Sequence, residues 1–377
     1  MKRCLIFLAA VCVILPVIFV GCALPVGNTD GEKQAVGTEA KETDPTLTEE
    51  TKAETVGTSA VSSITAAPTA ADANENTAGG KTAAQTIAAK MPVTLYYQDA
   101  DGYLMPLTRW IEKQEGVAKA AINGLIDSAP TREELQYYGI YPVLPVNTDV
   151  LGINIKEGTA VIDFNKSLLT SKDQVSERNM VASVVYTLTE FKTIENVRIL
   201  VNGYPQGVLK FGTDLSEPLN RKNVSINTAG IKVGDNSAKA DIYCFKRANE
   251  GFTYLLPVSV EYGAAGEELK METLVNLLFR DKTDGKLQSE MPAGAKLIGS
   301  SEENGVLSLD FDAAFTHYGG TAREDGILKQ LTYTVRQLKS TGRIKLLVEG
   351  NPAELPEGTD VSKGLAIPLT INDYIDR

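Results

Sequence analysis

Residues 159–164 read Thr159-Ala160-Val161-Ile162-Asp163-Phe164, and residues 306–311, 147 positions later, read Val306-Leu307-Ser308-Leu309-Asp310-Phe311. Each is a run of alternating side chains closed by Asp-Phe, the pattern of a half-buried strand. The match extends in both directions without a gap, from 145 to 205 in the first copy and from 292 to 352 in the second. Of those 61 positions 13 are identical, where composition alone gives roughly 4. The chain is an internal duplication.

The matching residues fall in order. Pro145, Gly152 and Gly158 answer to Pro292, Gly299 and Gly305. Tyr186-Thr187 answers to Tyr333-Thr334, and Leu200-Val201, Gly203 and Pro205 answer to Leu347-Val348, Gly350 and Pro352. Beyond this core, Gly212-Thr213-Asp214 recurs as Gly358-Thr359-Asp360, Ile226-Asn227 as Ile371-Asn372, and Tyr96 as Tyr243. The spacing predicts two folded units, residues 91–228 and 237–373, each of ordinary domain size.

Each unit reads the same way. An alternating strand at 93–97 precedes a turn at Asp99-Ala100-Asp101-Gly102, and Val117, Ala121, Ile122 and Leu125 recur at helical spacing. A loop rich in Tyr and Pro is expected over 131–145, then a hairpin of strands 150–155 and 159–164. A second helix carries Val181, Val184 and Leu188 on one face, as Leu328, Leu331 and Val335 do in the second copy. Strands follow at 197–201 and 344–348, each ending before a turn glycine, and last strands are expected at 223–227 and 369–372. The prediction is an α+β fold: two tandem repeats of a split βαβ-like domain, mainly antiparallel sheet with two helices.

The first 90 residues read differently. Met1-Lys2-Arg3 precedes an apolar run that meets no charge until Asp30, and the run ends Phe19-Val20-Gly21-Cys22. This is the pattern of a secretory signal, residues 1–21, with a small residue before cysteine as in a lipobox. Cleavage is expected after Gly21 and lipidation on Cys22. The competing expectation is an uncleaved membrane helix, since the run is long enough to span a bilayer. Residues 22–90 contain no Phe, Trp or Tyr and are expected to form a disordered tether, with a reach of roughly 45 Å.

Composition narrows the function classes. The net charge is −11 over 377 residues, with no basic stripe, which argues against nucleic acid as a partner. Four cysteines, three of them before residue 23, leave only Cys244 in a folded unit, expected as a buried thiol in a strand. The one histidine, His317, cannot build a zinc site without cysteines. Asp163 and Asp310, present in both copies, read as carboxylates that accept backbone N–H groups. The turn at 99–102 lacks the later acids of a calcium loop. No catalytic constellation, metal site or cofactor site is expected. The single tryptophan, Trp110, lies beside Arg109 and has no counterpart in the second copy. It is the candidate interface residue, with core packing as the competing reading.

With these motifs in place, the chain resembles the GerM-type family of sporulation and germination lipoproteins, built from two tandem GerMN domains. The resemblance rests on Leu144-Pro145 with Gly152, the 159–164 strand and the 197–203 strand, and on their second set. It implies a non-enzymatic lipoprotein that helps assemble the channel joining mother cell and forespore and serves in germination. Its place would be the extracytoplasmic face of the membrane, and its partners would be channel proteins. A cell-wall glycan-binding lipoprotein, with peptidoglycan as partner, is the rival expectation; sugar sites usually offer aromatic platforms, and aromatics are only 7% of this chain.

Overall fold

The apolar alternation at 93–97 becomes the long strand β1 (Lys90–Asp99), which turns at Asp99-Ala100-Asp101-Gly102 and pairs antiparallel with β2 (Leu104–Glu112). The computed structural model describes residues 89–228, 237–280, 285–338 and 342–375. Helix α1 (Val117–Asn123) follows the hairpin. The stretch expected as a loop then contains α2 (Ala129–Gln136) and the short strand β3 (Ile140–Tyr141), which joins β1. Local chemistry accounts for α2: Ser128 accepts from the Thr131 N–H as an N-cap, and Pro130 sits in the first turn, where it needs no N–H partner.

The expected hairpin is β4 (Val150–Lys156) with β5 (Thr159–Phe164). Helix α3 (Gln174–Thr189), opened by an Asp173 capping box, then carries the chain across to β6 (Asn196–Val201), which lies parallel to β5. β5, α3 and β6 are thus a βαβ unit inside a mixed sheet, completed by β7 (Tyr204–Pro205). Ala160, Ile162 and Phe164 of β5 and Val197, Ile199 and Val201 of β6 are buried on one face. From Met180 to Leu188 every residue of α3 is buried. Its stripe is apolar nearly all round because it packs against both β6 and the long hairpin strand β1.

The second repeat follows the same plan, without counterparts of α2 and β3 among the described residues and with an added short strand at its end: β8 (Ser237–Arg247), β9 (Thr253–Ala264), α4 (Met271–Leu277), β10 (Leu297–Glu303), β11 (Val306–Phe311), α5 (Thr321–Val335), β12 (Arg343–Val348), β13 (Asn351–Pro352) and β14 (Leu365–Ala366). β11 and β12 are again parallel. The duplicated Tyr-Thr pair has a clear task. Thr187 Oγ1 of α3 accepts from the Tyr96 N–H at 3.2 Å, and Thr334 Oγ1 of α5 accepts from the Tyr243 N–H at 3.0 Å, so each helix pins the first strand of its own repeat.

The last strands expected at 223–227 and 369–372 do not form ladders. These segments run as straps of turn and bend between the repeats, because Ile226 and Ile371 pair their backbone groups with Ser259 and Thr108 of the opposite copy. The two repeats accordingly share one compact unit, residues 81–377, and one large apolar core runs through both. Residues 229–236, between the two units, lie outside the described residues, and the repeats are in contact.

Candidate functional site

The straps meet the long hairpins in a pseudo-symmetric pair of crossings. Asn227 accepts from the Leu104 N–H at 2.7 Å and donates through Nδ2 to Leu104 O at 2.8 Å and to Pro257 O at 2.9 Å. Asn372 does the same with Leu255 N–H at 3.0 Å, and with Leu255 O and Pro106 O, both at 2.7 Å. Beside them, Ile371 N–H donates to Thr108 Oγ1 at 2.8 Å and Ile226 N–H donates to Ser259 Oγ at 2.9 Å. Both asparagines have positive φ, 48° and 47°, a region asparagine tolerates better than most side chains.

Buried charge lies in the same junction. Glu190 of the first repeat accepts from Arg221 at 2.7 Å, from the Tyr96 hydroxyl at 2.9 Å, and from Arg336 of the second repeat. Burial alone would raise its pKa, but the two guanidiniums outweigh it and hold the carboxyl down at about 2. Asp241 of the second repeat accepts from the Tyr186 hydroxyl at 2.8 Å and the Ser259 hydroxyl at 2.7 Å. Its pKa is raised by burial. Lys246, 4% exposed at its side chain, reaches into the first hairpin turn to Asp99 at 2.9 Å and Asp101 at 2.8 Å, and Lys286 meets Asp101 at 2.8 Å. Each of these acids is engaged by cations or hydroxyls that hold the repeats together.

The opposite hairpin tip meets its neighbour through rings. Phe252, before β9, packs against Tyr137 and Tyr138 after α2, with centroids 5.5 and 5.0 Å apart, and against Tyr374 at 5.3 Å. Tyr254 packs on Tyr374 at 5.3 Å, and its hydroxyl donates to Tyr138 O at 2.9 Å. Trp110 of β2 reaches the residue next to this cluster: its Nε1–H donates to Asp373, which precedes Tyr374, at 3.1 Å. The candidate interface residue is therefore half-buried at the meeting of the two repeats, with a depression of about 180 Å³ beside it, lined by Leu95, Ile111, Ala120 and the Arg109–Glu134 ion pair among others.

Gly21 and Cys22, like the signal segment and nearly all of the tether, lie outside the described residues. Among the described residues no helix is long and apolar enough to cross a membrane. Asp163 and Asp310 accept backbone N–H groups from Gly203 and Gly350, both at 2.9 Å; the turn they brace follows the next strand rather than their own. His317 ends a short 3-10 turn, and Cys244 is fully buried in β8. Among the described residues no three metal-ligating side chains gather.

Two positions escaped the sequence reading. Glu177 and Glu324, in the first turns of α3 and α5, each accept two backbone N–H groups: Phe211 and Thr213 for the first, Glu357 and Thr359 for the second. They anchor the duplicated Gly-Thr-Asp loops. Their identity at the common 147-residue offset was the available signal.

The family model described as sporulation and spore germination, the Germane domain, matches residues 94–207 and 242–354. The chain belongs to this family. It is similar to the spore germination protein GerM of Bacillus subtilis (strain 168), 27% identical over 323 residues that make up 82% of this chain and 85% of that one. It is also similar to the solved tandem GerMN domains of the sporulation protein GerM from Bacillus subtilis, with a TM-score of 0.64 and 26% identity, covering 75% of this chain and 99% of that one. The α+β tandem architecture and a place among sporulation and germination proteins follow.

Proposed function

We propose that this protein is a non-enzymatic scaffold of sporulation and germination, lipid-anchored through Cys22 and standing off the extracytoplasmic face of the membrane on residues 22–90. Its role is to bind partner proteins, components of the channel between mother cell and forespore. The observation that carries the reading is the junction itself. Ionisable groups that an enzyme would hold open to substrate, such as Glu190, Asp241 and Lys246, are spent on joining the repeats. What remains for binding is a two-repeat body with exposed sheet edges at β4 and β10, each a ready strand-pairing surface.

The test is crosslinking and pull-down of the tagged full chain from membranes of sporulating and vegetative cells, with purified peptidoglycan in parallel. Recovery of channel proteins during sporulation alone supports the scaffold. Retention by peptidoglycan alone, in both states, overturns it in favour of a wall-binding lipoprotein.

A further inference from the structure

The two hairpin tips sit in equivalent places in the duplication yet present opposite chemistry. The tip of the first repeat is closed by ions, with Asp101 between Lys246 and Lys286. The tip of the second is closed by Tyr137, Tyr138, Phe252, Tyr254 and Tyr374. A fold that closes one junction with charges does not require exposed rings at the other. Tyr137 is nonetheless 73% exposed and Tyr374 39%, and the only tryptophan of the chain is tied to the residue before Tyr374.

We propose that this aromatic face, built from both repeats and centred on Tyr137, Phe252 and Tyr374, with Trp110 tied in through Asp373, binds the N-acetylhexosamine backbone of a cell-wall glycan strand, in addition to the protein partners of the scaffold reading on whose extracytoplasmic placement it rests. Three observations choose this occupant. The rings themselves are uncharged, and the charged groups at their rim, Asp373 bonded to Trp110 and the Arg109–Glu134 pair beside it, are of both signs and already paired, which suits neutral hydroxyls better than a polyanion. The exposed members are tyrosines, each carrying a hydroxyl on an apolar ring, which suits a pyranose with an apolar C–H face and polar equatorial groups. Of the exposed aliphatic side chains that a dry protein interface would recruit, Leu151, Leu169, Val175 and Val208 come from other segments, while Leu369 lies in the strap that leads to Tyr374.

The face is also preformed. Asn249 Nδ2 donates to Tyr137 O at 3.1 Å, and the Tyr374 hydroxyl donates to Thr253 O at 2.6 Å. The Asn249 side-chain Oδ1 accepts from Gly251 N–H at 3.0 Å and Phe252 N–H at 2.9 Å. The backbone beneath the rings is thus held by side chains before any ligand arrives, and binding costs little ordering.

Trp110 supplies the readout. The purified full chain in detergent micelles is titrated with a β-1,4-linked N-acetylglucosamine hexamer, following tryptophan emission, and is pelleted with purified peptidoglycan sacculi. Saturable change in Trp110 emission and retention on sacculi are expected, both weakened about tenfold or more in Tyr137→Ala and held within about threefold in Tyr137→Phe. Tyr204→Ala, an equally exposed tyrosine on another element, should leave both unchanged. Absence of retention, or retention that Tyr137→Ala leaves intact, overturns the proposal. So does loss of protein crosslinks in Tyr137→Ala with sacculus binding preserved, which makes the face a protein-docking one. Because the assay uses purified chain, its failure leaves the channel pull-down standing, and the reverse.

Discussion

Asn227 and Asn372 make the same three hydrogen bonds, and each spends one of them on the opposite repeat: Asn227 on Pro257 O, Asn372 on Pro106 O. Every atom of both amides is used, two donor hydrogens and one acceptor, so the residue type is specified and not only the shape. In Asn372→Asp the carboxylate still accepts from Leu255 N–H but turns an oxygen toward two carbonyls. A loss of about 2–4 kcal/mol in unfolding free energy is expected at neutral pH. Asn372→Gly keeps the positive φ and should lose less. Acidification, by protonating the new carboxyl into a donor, should restore part of the loss in the Asp variant and none in the Gly variant, as denaturant titration at two pH values will tell.

Glu190 links its own repeat to the second through Arg221 and Arg336. Its folded pKa lies at about 2, below its ordinary 4.5. A depressed carboxylate stabilises the fold above the unfolded pKa and loses that contribution as pH falls through the folded one. The contribution is about 3 kcal/mol, present at pH 7 and lost between roughly pH 4.5 and 2. Glu190→Gln should remove about 2–4 kcal/mol, less than for a fully buried pair because both guanidiniums are about a quarter exposed. The unfolding free energy of the variant, followed against pH, should show a shallower acid limb than the parent, the remainder coming from other depressed carboxylates such as Asp101.

Lys246 offers a test of opposite sign. Asp99 is buried and its pKa is raised by burial despite the ammonium beside it. Lys246→Met leaves that carboxylate without its cation. The variant should be less stable by about 3–5 kcal/mol at pH 7. As a group whose folded pKa is raised, Asp99 then favours the fold more as pH falls, so the deficit should shrink on acidification. A deficit independent of pH from 7 to 5 would mean that the cost is packing and not charge.

How much of this was readable follows from where each contact lies along the chain. The β4–β5 hairpin and the buried stripes of α3 and α5 are local patterns, and the residues alone show them. The Ile226-Asn227 and Ile371-Asn372 pairs were visible as repeats, yet read as strands, because nothing local distinguishes a strand from a strap whose partners sit 123 and 30 residues away in one case and 117 and 266 in the other. The short helix α2 was missed because Tyr and Pro mark the segment as loop, while its Ser128 cap is a single side chain. Trp110 could be singled out by rarity. Its partner Asp373 and the Phe252–Tyr374 contact beyond it could not, since both form only when the repeats dock.

The hairpin turns permit a stabilising change read from one copy onto the other. Glu157-Gly158, Asn202-Gly203, Asn304-Gly305 and Glu349-Gly350 all have both residues at positive φ, 49° and 76°, 50° and 81°, 52° and 74°, 50° and 80°, as two-residue type I′ turns require. Each repeat therefore has one Asn-Gly turn and one Glu-Gly turn, with the order reversed between copies. Glutamate has no local hydrogen bond to offset the left-handed conformation, whereas asparagine does. Glu157→Asn and Glu349→Asn should each raise unfolding free energy by about 0.5–1 kcal/mol and add when combined, since they lie in different repeats. The reverse changes, Asn202→Glu and Asn304→Glu, should lower it by the same amount. Denaturant midpoints with unchanged slope provide the measurement, and a neutral Glu349→Asn would show that its carboxylate has a compensating role in the turn.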